Sequence, residues 1–420
     1  MTDPIIKFPR QSKGQDMISP DEALDIVLRS ASLLPPKQVP LTEALGCLLA
    51  KDVVAPWDCP SFDRAMMDGF AVRLDDRSER SKRIGFLQAG KFWSDPLPEG
   101  SCVEIMTGAP CPPSTDVVLP YEMANREGEW VTFRTPPTPG EFIAPRGSEC
   151  RIGATVLKKG QRLTTLSIAV LASFGRIKVC AHPPPRMAVI VTGREVVRTG
   201  KALQPGQIYD ANGTMLFSMA RDLGVFKIRV VFADDTVEGL TEAVIQQRKT
   251  DVILLSGGVS EGLFDLVPKT LRDLGVDILF HKVAQKPGKP LLFGRTGRQL
   301  YFGLPGNPLS VHLGFHRYVA PAIRIMQGRS PQPNQGLGLA RIGTDGGART
   351  RFLLAHAEKK RDMNDLWTLS VFTNHRSSDI YSVSSANCMI CVPPSHAESD
   401  DNPREALWEF EWLGKMRWGE

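Results

Sequence analysis

The spacing of apolar positions changes several times along this chain of 420 residues, and each change predicts a different kind of structure. From residue 187 onward, short apolar runs alternate with amphipathic stretches. The runs at 187–191, 227–232, 251–255, 277–280, 291–293 and 300–302 read as strands. Brief apolar runs bounded by turn residues suit strands buried on both faces. The stretches at 212–223, 236–247, 265–274 and 309–326 carry helical spacing. Strands alternating with helices predict a mainly parallel, doubly wound sheet.

The earlier part of the chain follows another pattern. Ser19-Pro20-Asp21-Glu22 forms a capping box, which opens a helix whose apolar face begins at Ala23 and which closes at Pro35-Pro36. Over residues 86–142, short apolar pieces such as 117–119 and 130–133 sit among proline and glycine clusters, predicting a small β-rich insertion. A helix is predicted at 165–174, and Pro183-Pro184-Pro185 reads as a stiff hinge. Beyond Gly328, glycine- and proline-rich turns separate short strands at 367–372, 388–392 and 408–412, which predicts a small β-domain.

Composition narrows the function classes. A formal net charge of +5 with no basic block argues against nucleic acid as the main partner. No apolar stretch approaches the roughly 20 residues of a membrane helix, and no secretory signal pattern is present, so a cytoplasmic protein is expected. The eight cysteines lack framework spacing and are expected to be reduced thiols. The lone pair Cys388 and Cys391 reads as part of a strand rather than as a zinc site.

Candidate chemistry gathers in three glycine-bearing loops: Ser256-Gly257-Gly258-Val259-Ser260-Glu261-Gly262, Lys286-Pro287-Gly288-Lys289-Pro290 and Gly303-Leu304-Pro305-Gly306-Asn307-Pro308. The first and third follow apolar strands, where open α/β sheets bind ligands. Glycine there lets backbone N–H groups approach an anion. Ordinary strand–helix turns use the same glycines. Lys282, Lys286 and Lys289 around rigid turn residues point to a phosphate or another oxyanion. Glu195, Asp210, Asp234, Asp235 and Asp265 fall near strand ends, a set suited to Mg²⁺ if they converge. Met67-Asp68-Gly69-Phe70-Ala71 and Met106-Thr107-Gly108-Ala109, taken alone, read as turns.

Together these motifs, with Pro60-Ser61-Phe62 and Thr192-Gly193-Arg194-Glu195, occur in an order that resembles the molybdopterin molybdenumtransferases, the molybdenum insertases that include the C-terminal domain of gephyrin. The resemblance runs from about residue 18 to the C-terminal strands and implies a multidomain α/β plus β protein. Residues 15–56 with 144–183 would form a linker and dimerisation domain, 57–143 a β-rich insertion, 184–328 a doubly wound molybdopterin-binding domain, and 329–420 a β-barrel-like domain. It implies a homodimer that takes adenylylated molybdopterin, molybdate and Mg²⁺ and releases AMP, with a molybdopterin adenylyltransferase and recipient molybdoenzymes as partners.

By the same resemblance, Asp68 and Thr107 would reach in from the partner subunit. Glu195, Asp235 and Asp265 would bind metal and serve pyrophosphate cleavage. Lys282 and Lys286 would hold phosphate or molybdate. Gly257, Gly258, Ser260, Lys286, Gly288, Lys289, Pro305, Gly306, Asn307 and Ser378 would hold the cofactor. The chain departs from the family pattern at Ala65 (serine), Arg194 (aspartate), Glu261 (small and apolar), the Leu353-Leu354-Ala355 stretch (arginine) and Ser377 (glycine). An added acid and a lost arginine would weaken an oxyanion site, with Arg194 as compensation. Two rival readings follow: a diverged molybdopterin carrier or scaffold for one molybdoenzyme, and a molybdopterin adenylyltransferase.

Overall fold

The computed structural model describes residues 17–74, 79–259, 266–343, 347–359, 366–373, 376–394 and 404–414. The chain divides into two compact units, Gln38–Ala181 and a second made of Met1–Lys37 with His182–Glu420.

The first unit has two cores. One gathers Val39, Leu49, Leu163, Leu171 and Val179 beneath the helix Thr165–Ser173. That helix begins where the Thr164 side chain accepts the Ser167 N–H, as a cap should. The other lies in a six-stranded sheet ordered Val117–Pro120, Gly69–Val72, Ser101–Ile105, Arg80–Leu87, Trp130–Phe133, Ala124–Glu127. Strand Gly69–Val72 is buried throughout. Its alternation sends Phe70 and Val72 into one cluster and Ala71 into another, so both faces of the sheet are covered. The β-rich region therefore begins before residue 86, where the apolar pattern placed it. Gly69 seats the strand here: a Cβ on it would lie 2.0 Å from the Leu119 carbonyl oxygen.

The second unit holds the predicted doubly wound sheet, ordered Ile228–Phe232, Met187–Val191, Val252–Ser256, Gln299–Leu304, Leu292–Thr296, Asp277–His281. The first four strands are parallel, while Leu292–Thr296 runs antiparallel to both of its neighbours. Met187, Val189 and Val191 face one core and Ala188 and Ile190 the other, which explains the unbroken apolar runs. Helix Pro20–Ser30 packs its Ala23 and Val27 into the first of these cores, with Ser19 accepting the Glu22 N–H at 3.2 Å.

The helix predicted at 309–326 is three segments in line: Pro308–Gly314, a π-helical Phe315–Val319, and Ala320–Met326. Pro321 offers no N–H to the preceding turn, and the chain widens there, with Ala320 N–H bonding to the Phe315 carbonyl.

The C-terminal strands Gln335–Arg341, Thr350–Lys359, Trp367–Val371, Cys388–Val392 and Glu405–Trp412 close into a barrel, because Thr350–Lys359 pairs with both Trp367–Val371 and Cys388–Val392. Leu369, Ile390, Phe410 and Trp412 fill it. Cys388 is buried inside as a strand residue, and burial pushes its thiol up to about 12. A short strand, Gln285–Lys286, joins the barrel in parallel, with Lys286 opposite Arg351. Among the described residues, no helix is long and apolar enough to cross a membrane.

Candidate functional site

Two clefts open at the carboxyl ends of the parallel strands and share Gly306 and Asn307 as common wall.

The first, about 800 Å³, is acidic. Strand Met187–Val191 runs into Thr192, whose N–H and hydroxyl both bond to the Ser256 carbonyl, at 3.1 and 3.2 Å. The chain then turns at Gly193 with φ +123°, and a Cβ there would lie 2.9 Å from both Glu195 carboxylate oxygens. Glycine is thus what allows Glu195 to fold back over the turn. Glu195, Asp210 and Asp235 line this cleft, as do Gly257, Gly258 and Ser378. Asp210 is almost fully buried, and its Oδ1 accepts the Gly213 N–H at 2.8 Å in the first turn of helix Asn212–Asp222, whose N-cap is Ala211.

Gly257 and Gly258 both have positive φ, +96° and +65°. A Cβ on Gly257 would stand 2.9 Å from the Thr192 hydroxyl. The Gly257 N–H donates to the Leu304 carbonyl at 3.1 Å. This amide is therefore used in joining two loops and is not directed at a ligand. At Gly257 glycine serves backbone conformation, as its positive φ and the close approach to Thr192 require. Ser260, Glu261 and Asp265 lie outside the described residues.

The second cleft, about 910 Å³, is basic: its lining includes Lys286, Lys289, Arg341, Arg349 and Arg351 and no carboxylate among the described residues. Gly288, Pro305, Ser310 and Ser377 line it too. Buried Gln285 holds the lysine loop in shape, donating to the Gly288 carbonyl and accepting from the Tyr318 hydroxyl. Five cations around one concave surface create a strongly positive potential for an oxyanion. Lys282 is half-buried with φ +91°, and it lines neither cleft.

The departures from the family pattern look different in three dimensions. Ser377 accepts a hydrogen bond from Asn307 Nδ2 at 2.8 Å, fixing the shared wall. Leu354 is buried in a core cluster, and Arg349 and Arg351 supply positive charge from the adjoining segment. Ala65 is a buried strand residue. Arg194 is exposed and lines neither cleft.

Residue-by-residue reading missed Asn212 as a site residue. Its Nδ2 donates to Ser256 Oγ at 3.0 Å and to the Gly306 carbonyl at 2.7 Å, tying the first glycine loop to the third. Its buried Oδ1 accepts no hydrogen bond among the described residues. The available signal was an amide at the start of a helix following a strand. Arg341, Arg349 and Arg351 were also missed.

In the other unit, Asp68 and Thr107 come together. The Thr107 N–H and hydroxyl both donate to Asp68 Oδ1, each at 2.6 Å. The hydroxyl, then the N–H, hold the Asp68 carboxyl below its usual range. The interaction is present above the ordinary carboxylate pKa and is lost as pH falls through the depressed value. Thr107→Val is expected to move the Asp68 pKa upward toward 3.8, read by NMR titration of the carboxyl carbon; an unchanged titration would show that the hydroxyl bond has no part in it.

Comparison with known proteins matches this architecture. Residues 18–175 match the MoeA N-terminal region (domain I and II), and residues 188–325 match a probable molybdopterin binding domain. The chain is 32% identical over 387 residues to the molybdopterin molybdenumtransferase of Staphylococcus aureus (strain Mu50), covering 89% of this chain and 90% of that protein. It is 33% identical over 322 residues to that of Staphylococcus epidermidis (strain ATCC 12228), covering 74% and 76%. The crystal structure of a molybdopterin biosynthesis MoeA protein from Pyrococcus horikosii superposes with a TM-score of 0.70 at 29% identity, covering 96% of this chain and all of that one. The chain belongs to the molybdopterin molybdenumtransferase family, the MoeA proteins of molybdenum cofactor biosynthesis.

Proposed function

We propose that this protein inserts molybdenum from molybdate into adenylylated molybdopterin, releasing AMP. The observation that carries the reading is the pairing of an acidic and a basic cleft across one wall, Gly306-Asn307. A phosphorylated pterin and molybdate are both anions and call for concentrated positive charge. Lys286, Lys289, Arg341, Arg349 and Arg351 supply it in the basic cleft. Pro305, Gly306, Asn307 and Ser378 line the two clefts and would border the pterin.

The donor set of the acidic cleft fits Mg²⁺. Glu195 and Asp235 give hard carboxylate oxygens on one surface, and Mg²⁺ is commonly held by one or two carboxylates together with substrate phosphate and water. Asp265 would join them. Bound there, Mg²⁺ would neutralise charge on the pyrophosphate oxygens. Glu195 and Asp235 would hold the metal, and the cations of the basic cleft would attract molybdate. Asp68 and Thr107 of the partner subunit complete the site in a homodimer, with Asp68 held ionised and aligned by its threonine. Lys282, which lines neither cleft, would hold phosphate or molybdate only from outside them. The substrate comes from a molybdopterin adenylyltransferase and the product goes to cytoplasmic molybdoenzymes.

The test is AMP release from adenylylated molybdopterin by the purified protein. Release that needs both molybdate and Mg²⁺ is expected. A folded protein that binds molybdopterin but releases no AMP under those conditions would overturn the proposal.

A further inference from the structure

We propose that Cys59 and Cys150 form a reversible disulfide at the neck of the strand-rich module that carries Asp68 and Thr107. The two residues face each other across an isolated antiparallel bridge. The Cys59 N–H donates to the Cys150 carbonyl at 2.7 Å, and the Cys150 N–H returns the bond at 3.0 Å. Such mutually bonded pairs place their Cα atoms about 5.5 Å apart with both side chains on one face. That separation lies inside the range of about 4.4–6.8 Å that disulfides span.

The surrounding backbone holds this register. The Gly147 N–H bonds to the Pro60 carbonyl at 2.9 Å, and the Gly153 N–H to the Ala55 carbonyl at 2.9 Å. Asp58 accepts from the Ile152 N–H and from the Arg146 guanidinium, each at 2.8 Å. Both thiols are half-buried, which leaves them reachable by a small reagent. By contrast, burial pushes the Cys102, Cys111 and Cys388 thiols up to about 12.

All eight cysteines are free thiols in this structure, so the pair is described in its reduced form. The oxidant assigned is a low-molecular-weight disulfide such as oxidised glutathione. One of the two thiols, written here as Cys150, gives its proton to water and makes the first attack. The Cys150 sulfur joins one glutathione sulfur and expels the other as thiolate. Cys59 then loses its proton to water and attacks the Cys150 sulfur, expelling the second glutathione thiolate. Two cysteines are oxidised and one oxidised glutathione is reduced to two thiols. The link closes a loop running from residue 59 to residue 150, tying the segment that leads into the module to the segment that leaves it.

The test treats the full-length folded protein with oxidised glutathione, blocks remaining thiols with N-ethylmaleimide, and maps the peptides by mass spectrometry. A cross-linked peptide joining Cys59 to Cys150, lighter by two hydrogens and released by dithiothreitol, is expected. It should vanish in Cys59→Ser and Cys150→Ser and in protein unfolded in urea. The map of the unsubstituted protein decides the matter even if a variant folds poorly. Recovery of both cysteines as maleimide adducts or glutathione mixed disulfides, or linked to other cysteines, would overturn the proposal.

Discussion

Glu195→Gln is expected to slow AMP release by about a hundredfold or more, the usual scale for removing one group that stabilises developing charge. The substitution keeps size and removes charge, and Glu195 is exposed on a turn, so stability should change little. Gly193 lets the Glu195 carboxylate fold back, and that carboxylate shares its cleft with Asp210 and Asp235. Asp210 is already committed to the Gly213 N–H in the first turn of the helix, so it cannot substitute without giving up that bond. Measuring AMP release across Mg²⁺ concentrations separates weakened metal binding from a lost chemical role. In the first case, high Mg²⁺ restores part of the rate. Activity within a factor of three of the unsubstituted protein would remove Glu195 from the site.

Gly69→Ala is expected to lose at least about 3 kcal/mol of stability, at the upper end for forcing atoms into a packed interior. The added Cβ would meet the Leu119 carbonyl oxygen at 2.0 Å, the Leu119 carbonyl carbon at 2.8 Å and the Pro120 Cα at 2.8 Å. All three are backbone atoms of the neighbouring strand, so no rotamer change relieves them. The strands Gly69–Val72 and Val117–Pro120 must separate, which strips the edge strand Val117–Pro120 from the sheet. Urea unfolding followed by circular dichroism measures the change. A loss below about half a kcal/mol would mean that the sheet accommodates the methyl group.

The α/β domain was readable because its strands are buried on both faces and so are apolar without interruption. The barrel was only half readable. Trp367–Val371 and Cys388–Val392 announce themselves, while Gln335–Arg341 looks like a loop because it carries Gly336 and Gly338. Those glycines are packing residues: a Cβ on Gly336 would strike the Phe410 ring at 2.4 Å, and one on Gly338 the Leu369 side chain at 2.7 Å. Partners this far along the chain, Phe410 for Gly336 and Leu369 for Gly338, cannot be inferred from local spacing. The same limit hid half of the basic cleft. Lys286 and Lys289 declare themselves beside Pro287-Gly288, whereas Arg341, Arg349 and Arg351 join them only through tertiary pairing. Glu195 and Asp235 were readable because both follow strand ends. The roles of Gly257 and Ser377 were not, since each depends on which atom its backbone or hydroxyl meets.

The pairing of Gln285–Lys286 with Thr350 and Arg351 makes the cleft sensitive to chain length in a parity-dependent way. Side chains along a strand alternate between faces. Deleting one residue between Arg341 and Thr350, with the barrel strand sliding by one place, would seat apolar Phe352 opposite Lys286 and turn Arg351 to the other face. Sliding by two places would restore the original facing and bring Leu353 opposite Lys286. Natural insertions and deletions in that connection should therefore favour compensation by the loop itself over slippage of the strand.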